Sequence, residues 1–451
     1  MWFEPLFVKI LKHEYAASMR FDVAAQARQP SPPVRPCQLY VHIPFCESLC
    51  PFCSFHRVQF RDTKSQGYFE ALRREIRAYH ERGFQFRDVY VGGGTPTVAP
   101  GELVSTVELL RSLWPIKTLS VETNPNHLRE EMFRVLESLG VDRLSVGVQS
   151  FDDSLLRQMQ RYERYGSGAA IRDRLAAAQG RFRTLNVDMI FNLPNQTLAM
   201  LDADLEALLD LEVDQVSFYP LMTAPAARRK MERTLGSAQE QRRSDFYARI
   251  LEAMRERYRP ASAWCFSRIQ APAHSSAPGS AMIDEYIVDH DDYIGVGSGA
   301  FSYVDGWMYS TTFSINQYRQ RLAQGLSAIT RSKQLTTRQR MRYDFLVRLF
   351  GLSLSREFVR RKYGRGFWLR MAPELLAMRL IGATRHDAAG IHLTDAGMYC
   401  WVLMMAEFFN AVNAFREQMR QHIRAELDEW LRPEVAVPLD AIGRTAKGTE
   451  S

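Results

Sequence analysis

The sequence predicts an α/β protein: a partial (β/α)6 barrel followed by a mostly helical, winged-helix-like C-terminal domain. Three observations predict it. From Leu39 onward, a short apolar strand pattern followed by a helical pattern recurs six times, as parallel strands joined by helical crossovers require. The residues of unusual chemistry fall just after those strands, the end at which barrel enzymes assemble their sites. After Pro260 the repeat loses its regularity, and from about Leu335 helical spacing dominates.

Residues 1–36 read as an appended helix and a stiff linker. Trp2, Phe3, Leu6, Phe7, Ile10 and Leu11 share one helical face, and the run Gln29-Pro-Ser-Pro-Pro-Val-Arg-Pro36 ends it. Residues 37–334 form the barrel with its elaborations. Its strands are expected at Leu39 to Ile43, Val89 to Val91, Leu119 to Glu122, Leu144 to Val148, Asn186 to Ile190 and Gln215 to Tyr219. Helical stretches lie between them, such as Tyr68, Phe69, Leu72, Ile76 and Tyr79 at three- and four-residue spacing. Residues 335–431 form the helical domain, in which Ile391 to Thr394 reads as a short strand capped into a long helix. Residues 432–451 are a frayed tail.

Composition narrows the class. Hydrophobic residues make up 46% and charged residues 24% of 451, ordinary values for a globular enzyme. The longest apolar run, Met398 to Ala406, is too short to cross a bilayer, and nothing near Met1 reads as a secretion signal, so a cytoplasmic location is expected. Six cysteines, three of them scattered singly, fit a reducing compartment. The net charge of +7 is compatible with an anionic membrane face, a nucleic acid or an anionic substrate and selects none of them.

The other three cysteines carry the chemistry. Cys46, Cys50 and Cys53 stand three and two residues apart in one loop. Three thiolates on a [4Fe–4S] cluster leave one iron open to a ligand that the reaction brings in. The alternative is a Cys3His zinc site completed by His42 or His56. Gly92, Gly93 and Gly94 permit a close backbone approach, either to grip a polar ligand or simply to make a tight turn. Glu122 ends an apolar strand, where a carboxylate needs a donor: a ribose, an ammonium group or a structural cation.

Together the cysteine run, the flanking Tyr40-Val-His-Ile-Pro-Phe45 and Gly92-Gly-Gly-Thr-Pro-Thr97 resemble the radical SAM enzymes. The resemblance points to the branch that holds oxygen-independent coproporphyrinogen oxidases, HemW-type heme chaperones and class C radical methyltransferases. It implies a [4Fe–4S] cluster on Cys46, Cys50 and Cys53, and S-adenosylmethionine held at Gly93, Gly94, Thr95 and Glu122. Tyr40 and Phe301 would flank that molecule, and Gln149, Arg161 and Asp188 would contact a second one.

Within the branch, the coproporphyrinogen oxidases carry a further cysteine where this chain has Phe55, and the His-Asn and Tyr-Trp pairs of the heme chaperones are absent from Val288 to Gly295. The run through His56-Arg57 and the loop Gly295 to Tyr303 look most like the menaquinone C8-methyltransferases. That resemblance implies methylation of an sp2 ring carbon of menaquinone, or another aromatic substrate, with two S-adenosylmethionine molecules and a low-potential donor of the flavodoxin or ferredoxin type. Anaerobic heme opening or a coproporphyrinogen III oxidase-like reaction is the alternative. A zinc-stabilised nucleic-acid-binding protein is the reading outside enzymes, although no nucleic acid is expected as a partner. A lipid-borne quinone implies peripheral contact with the inner face of the cytoplasmic membrane. The stripe Trp401, Met404, Met405, Phe408, Val412 and Phe415, with Arg416, Arg420 and Arg424 beyond, would be a prenyl groove, a membrane surface or core packing.

Overall fold

A computed structural model describes residues 9–10, 13–14, 21, 27–222, 231–234, 236, 242–269, 291–421 and 423. The expected N-terminal helix lies largely outside these residues, as do 284–290, Arg424, the side chain of Arg420 and the tail.

Six strands, β1 (Cys37–Ile43), β2 (Phe86–Gly93), β3 (Thr118–Thr123), β4 (Arg143–Gln149), β5 (Thr184–Phe191) and β6 (Gln215–Pro220), lie side by side in chain order. Every neighbouring pair is parallel. All seven residues of β1 are buried, as expected of a parallel strand covered on both faces. The helices α1 (Asp62–Glu81), α2 (Pro100–Leu113), α3 (Glu130–Ser138), α4 (Gly168–Ala178) and α5 (Leu198–Leu211) supply one cover. Tyr68, Phe69, Leu72, Ile76 and Tyr79, the expected inner face of α1, are buried together. The chain therefore presents six successive strand ends on one side of the sheet.

The sheet does not stop at six strands. Beyond α6 (Arg243–Met254) come β7 (Tyr258–Pro260) and β8 (Cys265–Arg268); β8 pairs antiparallel with β6, and β7 pairs antiparallel with β8 at the edge. At the opposite edge β9 (Tyr293–Val296) runs parallel to β1, with Gly295 opposite Tyr40. Three antiparallel strands follow, β10 (Phe301–Val304), β11 (Trp307–Thr311) and β12 (Ile329–Gln334), for twelve in all. Their connections are tight turns, apart from α7 (Ile315–Ala323) between the last two. That is why the strand-and-helix alternation fades while the sheet continues.

A buried carboxyl ties this edge to α1. Glu75 accepts hydrogen bonds from the Gly297 amide (2.8 Å) and the Tyr318 hydroxyl (2.6 Å). Burial pushes its pKa up from 4.5 to about 7, against those two donors. Ionisation therefore costs more in the folded chain than in the unfolded one. The stability it contributes is full below about pH 4.5 and is lost as pH rises through about 7, by roughly 3 kcal/mol. Glu75→Gln keeps an acceptor for both donors and cannot ionise. Its melting temperature is expected to fall less between about pH 5 and 8 than that of the parent. Some slope should remain, because Asp204 is also raised to about 7 by burial.

The C-terminal region begins with α8 (Thr337–Phe350), whose N-terminus is closed by a reciprocal capping box between Thr336 and Gln339. Then come β13 (Ser353–Ser355), α9 (Arg356–Tyr363), α10 (Gly366–Arg370), α11 (Ala372–Leu380), β14 (Thr384–His386), β15 (Gly390–Leu393) and α12 (Asp395–Gln421). The small sheet has the order β13-β15-β14. Thr394 caps α12, accepting from the Gly397 amide at 3.0 Å. The stripe on α12 is core: Trp401, Met404, Met405, Phe408, Val412 and Phe415 are all buried. Trp401 stacks edge-on with Phe345 and donates to the Leu346 carbonyl at 2.9 Å. These residues therefore form neither a membrane surface nor an open prenyl groove. Amphipathic spacing shows that a face is covered and cannot show by what. Among the described residues, no helix is long and apolar enough to cross a membrane.

Candidate active site

The cysteine loop follows β1 and is held by its own backbone and by two charged side chains. Cys46 and Cys50 are buried and Cys53 is half-buried. The Phe60 amide donates to the Cys46 carbonyl at 2.8 Å, and Arg57 donates to the carbonyls of Cys50 and Cys53 (2.9 Å for Cys53). Glu47, between the first two cysteines, accepts from Asn126 at 2.7 Å and faces His127 at 3.4 Å. His127, Asn126 and Arg164 hold its carboxyl down to about 2, His127 most strongly. The loop is thereby anchored to the turn after β3. Arg57 and Glu47 were not legible as functional positions, since charged residues in loops usually face solvent.

The Cys46 thiol is pushed up to about 12 by burial and by the neighbouring Cys53, so it is neutral until a metal binds. Arg161 lies beside the loop: Nη1 is 3.5 Å from Cys50 Sγ, Nη2 is 3.1 Å from Asn124 Oδ1, and the guanidinium also donates to the Gly147 carbonyl. Its Nε is buried without a partner. Thr95 Oγ1 is 3.7 Å from Cys46 Sγ. The donor set fits an iron–sulfur cluster. It offers three soft thiols, with Arg57 and Arg161 to offset the negative charge they acquire as ligands. Among the described residues no three His, Cys, Asp or Glu side chains converge to hold a single metal ion. The zinc alternative thus has no geometric support, and both His42 and His56 are committed elsewhere.

The glycine turn after β2 packs against this loop. Gly93 adopts φ +115°, and a Cβ there would fall on the His42 ring; a Cβ on Gly94 would fall on the Phe45 carbonyl. Glu122 accepts from the Gly93 amide and the Tyr90 hydroxyl, each at 2.9 Å. The Gly94 amide donates to Ile43 and the Thr95 amide to Phe45. With these donors engaged, the turn is left to present acceptors, its carbonyls and the Glu122 carboxylate. That polarity suits an ammonium group and repels a phosphate.

His42 links the turn to Tyr40. Its Nε2 lies 3.0 Å from the His56 carbonyl, which only accepts, so Nε2 carries the proton and Nδ1 accepts from the Tyr40 hydroxyl at 2.9 Å. Burial, with Arg416 nearby, lowers the His42 pKa to about 3, which keeps the ring neutral.

The remaining expected residues fall around the same strand ends. Gln149 ends β4 at φ +79°, beside a register irregularity, a conformation a non-glycine residue holds only where its surroundings enforce it. Asp188 accepts from Ser145 (2.9 Å) and Asn186 (2.7 Å). Phe301 is buried against Phe313 and Phe415. Arg416, expected beyond an apolar stripe, instead lies over the rings of Phe55 and Phe301 at 5.4 and 5.3 Å. The end of α12 therefore reaches the cysteine-loop side of the sheet.

Comparison with characterised proteins shows what this arrangement is similar to. Residues 40–235 match the Radical SAM superfamily. The heme chaperone HemW of Lactococcus lactis is 28% identical over 291 residues, 63% of this chain and 74% of that protein. The oxygen-independent coproporphyrinogen III oxidase of Pseudomonas aeruginosa is 27% identical over 84% of this chain and 86% of its own length. In three dimensions the chain resembles coproporphyrinogen III oxidase (HemN) from Escherichia coli, with a TM-score of 0.70 and 24% identity over 88% of this chain and 93% of that one. These likenesses overturn the expectation of menaquinone methylation, which rested on short runs such as His56-Arg57, whereas the similarity to heme-related proteins spans most of the chain. The chain therefore has the radical SAM fold with HemN-like homologues, and its cofactors are those of that superfamily, a [4Fe–4S] cluster and S-adenosylmethionine.

Proposed function

We propose that this protein is a radical SAM enzyme acting on a porphyrin-type tetrapyrrole, like the coproporphyrinogen oxidases in its use of cofactors. Cys46, Cys50 and Cys53 would hold the cluster, which together with S-adenosylmethionine and one electron from a flavodoxin- or ferredoxin-type donor would supply radical chemistry. Gly93, Gly94, Thr95 and Glu122 receive the amino group of the sulfonium cofactor, because the turn offers acceptors. Tyr40, fixed by neutral His42, and Phe301 bound the same space. Gln149 ends β4 and Asp188 lies midway along the neighbouring β5, positions that a second polar ligand would contact. Arg161 stands against the cluster loop, so it balances thiolate charge as well as any such contact.

The observation that carries the substrate reading is the cluster of Arg416 with Phe55 and Phe301. Phe55, 40% exposed, and buried Phe301 lie under the Arg416 guanidinium. Apolar rings beside a cation suit a flat macrocycle that bears carboxylates. The names of the relatives, heme chaperones and coproporphyrinogen oxidases, support the same class.

The test is anaerobic incubation of the reconstituted protein with S-adenosylmethionine, a reductant and coproporphyrinogen III, with chromatography of the tetrapyrrole, alongside an absorbance titration with heme. Turnover of the porphyrinogen is the expected result, and Arg416→Ala should raise its KM by about tenfold, the worth of one charge-assisted contact. A cluster-loaded protein that shows neither conversion nor saturable tetrapyrrole binding would overturn the proposal.

A further inference from the structure

We propose that the outer face of α10 and α11 docks on an anionic phospholipid surface, with lipid phosphates received in an arginine-lined cavity beside it. This inference does not rest on the tetrapyrrole reading, and it concerns residues far along the chain from the α12 stripe, which is buried. Leu369, Leu376 and Leu380 are 81%, 58% and 77% exposed. Leu376 and Leu380, four residues apart, share one side of α11, where Ala372, Pro373 and Ala377 are also exposed; Leu369 stands exposed on the preceding α10. The opposite side carries Phe367, Leu375 and Met378, all buried. The two helices thus satisfy their core face and still present an apolar row to the outside.

The charges around this row have one sign. Arg365, Arg370 and Arg379 flank it, and among the described residues none of them is ion-paired with a carboxylate. Glu374, the acidic residue of these helices, is already bound by Arg338 and Arg342. Immediately before Leu369, a cavity of about 620 Å³ is lined by Arg356, Arg360, Arg365 and Trp368, with Glu357 as its one carboxylate. The Arg356 guanidinium lies over the Trp368 ring at 5.6 Å. An indole at this level, leucines beyond it and arginines around it match the layers of a bilayer surface: headgroup phosphate, interface and acyl chain.

A protein partner fits less well. A stable interface buries about 800 Å² on each side, with a well-packed apolar centre. Three leucines projecting singly from a convex helical face do not provide one. Insertion into lipid needs only a few apolar side chains when basic residues add their attraction to anionic headgroups.

The experiment is flotation of the full-length, cluster-loaded protein with vesicles of phosphatidylcholine alone or mixed with phosphatidylglycerol. Binding to the mixed vesicles, weakened by salt, is expected. Leu376→Asp/Leu380→Asp and Arg360→Glu/Arg365→Glu should each reduce it at least about tenfold. Both pairs lie on the surface, and an unchanged melting temperature with unchanged cluster absorbance would show that the fold is intact. Equal binding to both vesicle types, no binding to either, or variants that bind like the parent would overturn the proposal. So would a leucine variant that only converts a dimer to a monomer in light scattering, which would assign the face to a second copy of the chain.

Discussion

Replacing Cys46, Cys50 and Cys53 together by alanine is expected to reduce S-adenosylmethionine cleavage to background, a loss of at least about a thousandfold, while the barrel still folds. The two halves of this expectation have different physical sources. Without thiolates nothing in the loop ligates iron, so iron and sulfide content and the cluster absorbance should fall to zero. The loop itself depends little on those side chains. Arg57 grips carbonyl groups, the Phe60 amide is paired to another carbonyl, and Glu47 is tied to Asn126 and His127; alanine leaves all of these in place. Loss of three small buried groups costs about 1 kcal/mol each at most, a few degrees in melting temperature for a chain of this size. Cleavage that persists in the cluster-free triple variant would refute the assignment. Unfolding of the variant would instead show that the metal holds the loop, which Arg57→Ala, with the cysteines intact, would check independently.

The parallel half of the fold was legible because each of its strands is buried on both faces. Runs such as Leu39 to Ile43 and Leu144 to Val148 cannot be amphipathic helices, and the helices between them bury one face each. The candidate site was legible for a related reason, since a triple glycine, three closely spaced cysteines and a carboxylate at the ends of apolar strands are not what packing those strands alone calls for. What stayed hidden depends on distance in sequence. Glu75 is an ordinary helical glutamate until Gly297 and Tyr318 are folded onto it. Arg161 can be recognised as a cation but not as a neighbour of Cys50, 111 residues away. The menaquinone reading rested on short local runs; Phe55, Phe301 and Arg416, which the fold brings together, come from three distant segments, and none carries a chemical signature by itself.

Gly93→Ala should be the most damaging single-atom addition in the site. Any residue other than glycine at φ +115° pays about 1–3 kcal/mol of backbone strain. The added methyl group also falls on the His42 ring, which has little freedom to retreat. His42 is 1% exposed, stacks on His56 with centroids 5.8 Å apart, and holds hydrogen bonds at both nitrogens. Its displacement would break the bond to the His56 carbonyl or release the Tyr40 hydroxyl, at a further 1–3 kcal/mol or so for a buried polar group left unpaired. The turn also donates from the Gly93 amide to Glu122, so the carboxylate proposed to receive the cofactor's amino group would move with it. Affinity for S-adenosylmethionine is therefore expected to fall by roughly a hundredfold or more, with cluster content near that of the parent because the cysteine loop has its own anchors. Gly101→Ala is the control: a Cβ there meets nothing, and its position in the first turn of α2 makes the change neutral or slightly stabilising. Cofactor binding by Gly93→Ala within about threefold of the parent would mean that the turn is only a packing device, and the cofactor site would then have to lie elsewhere on the strand ends.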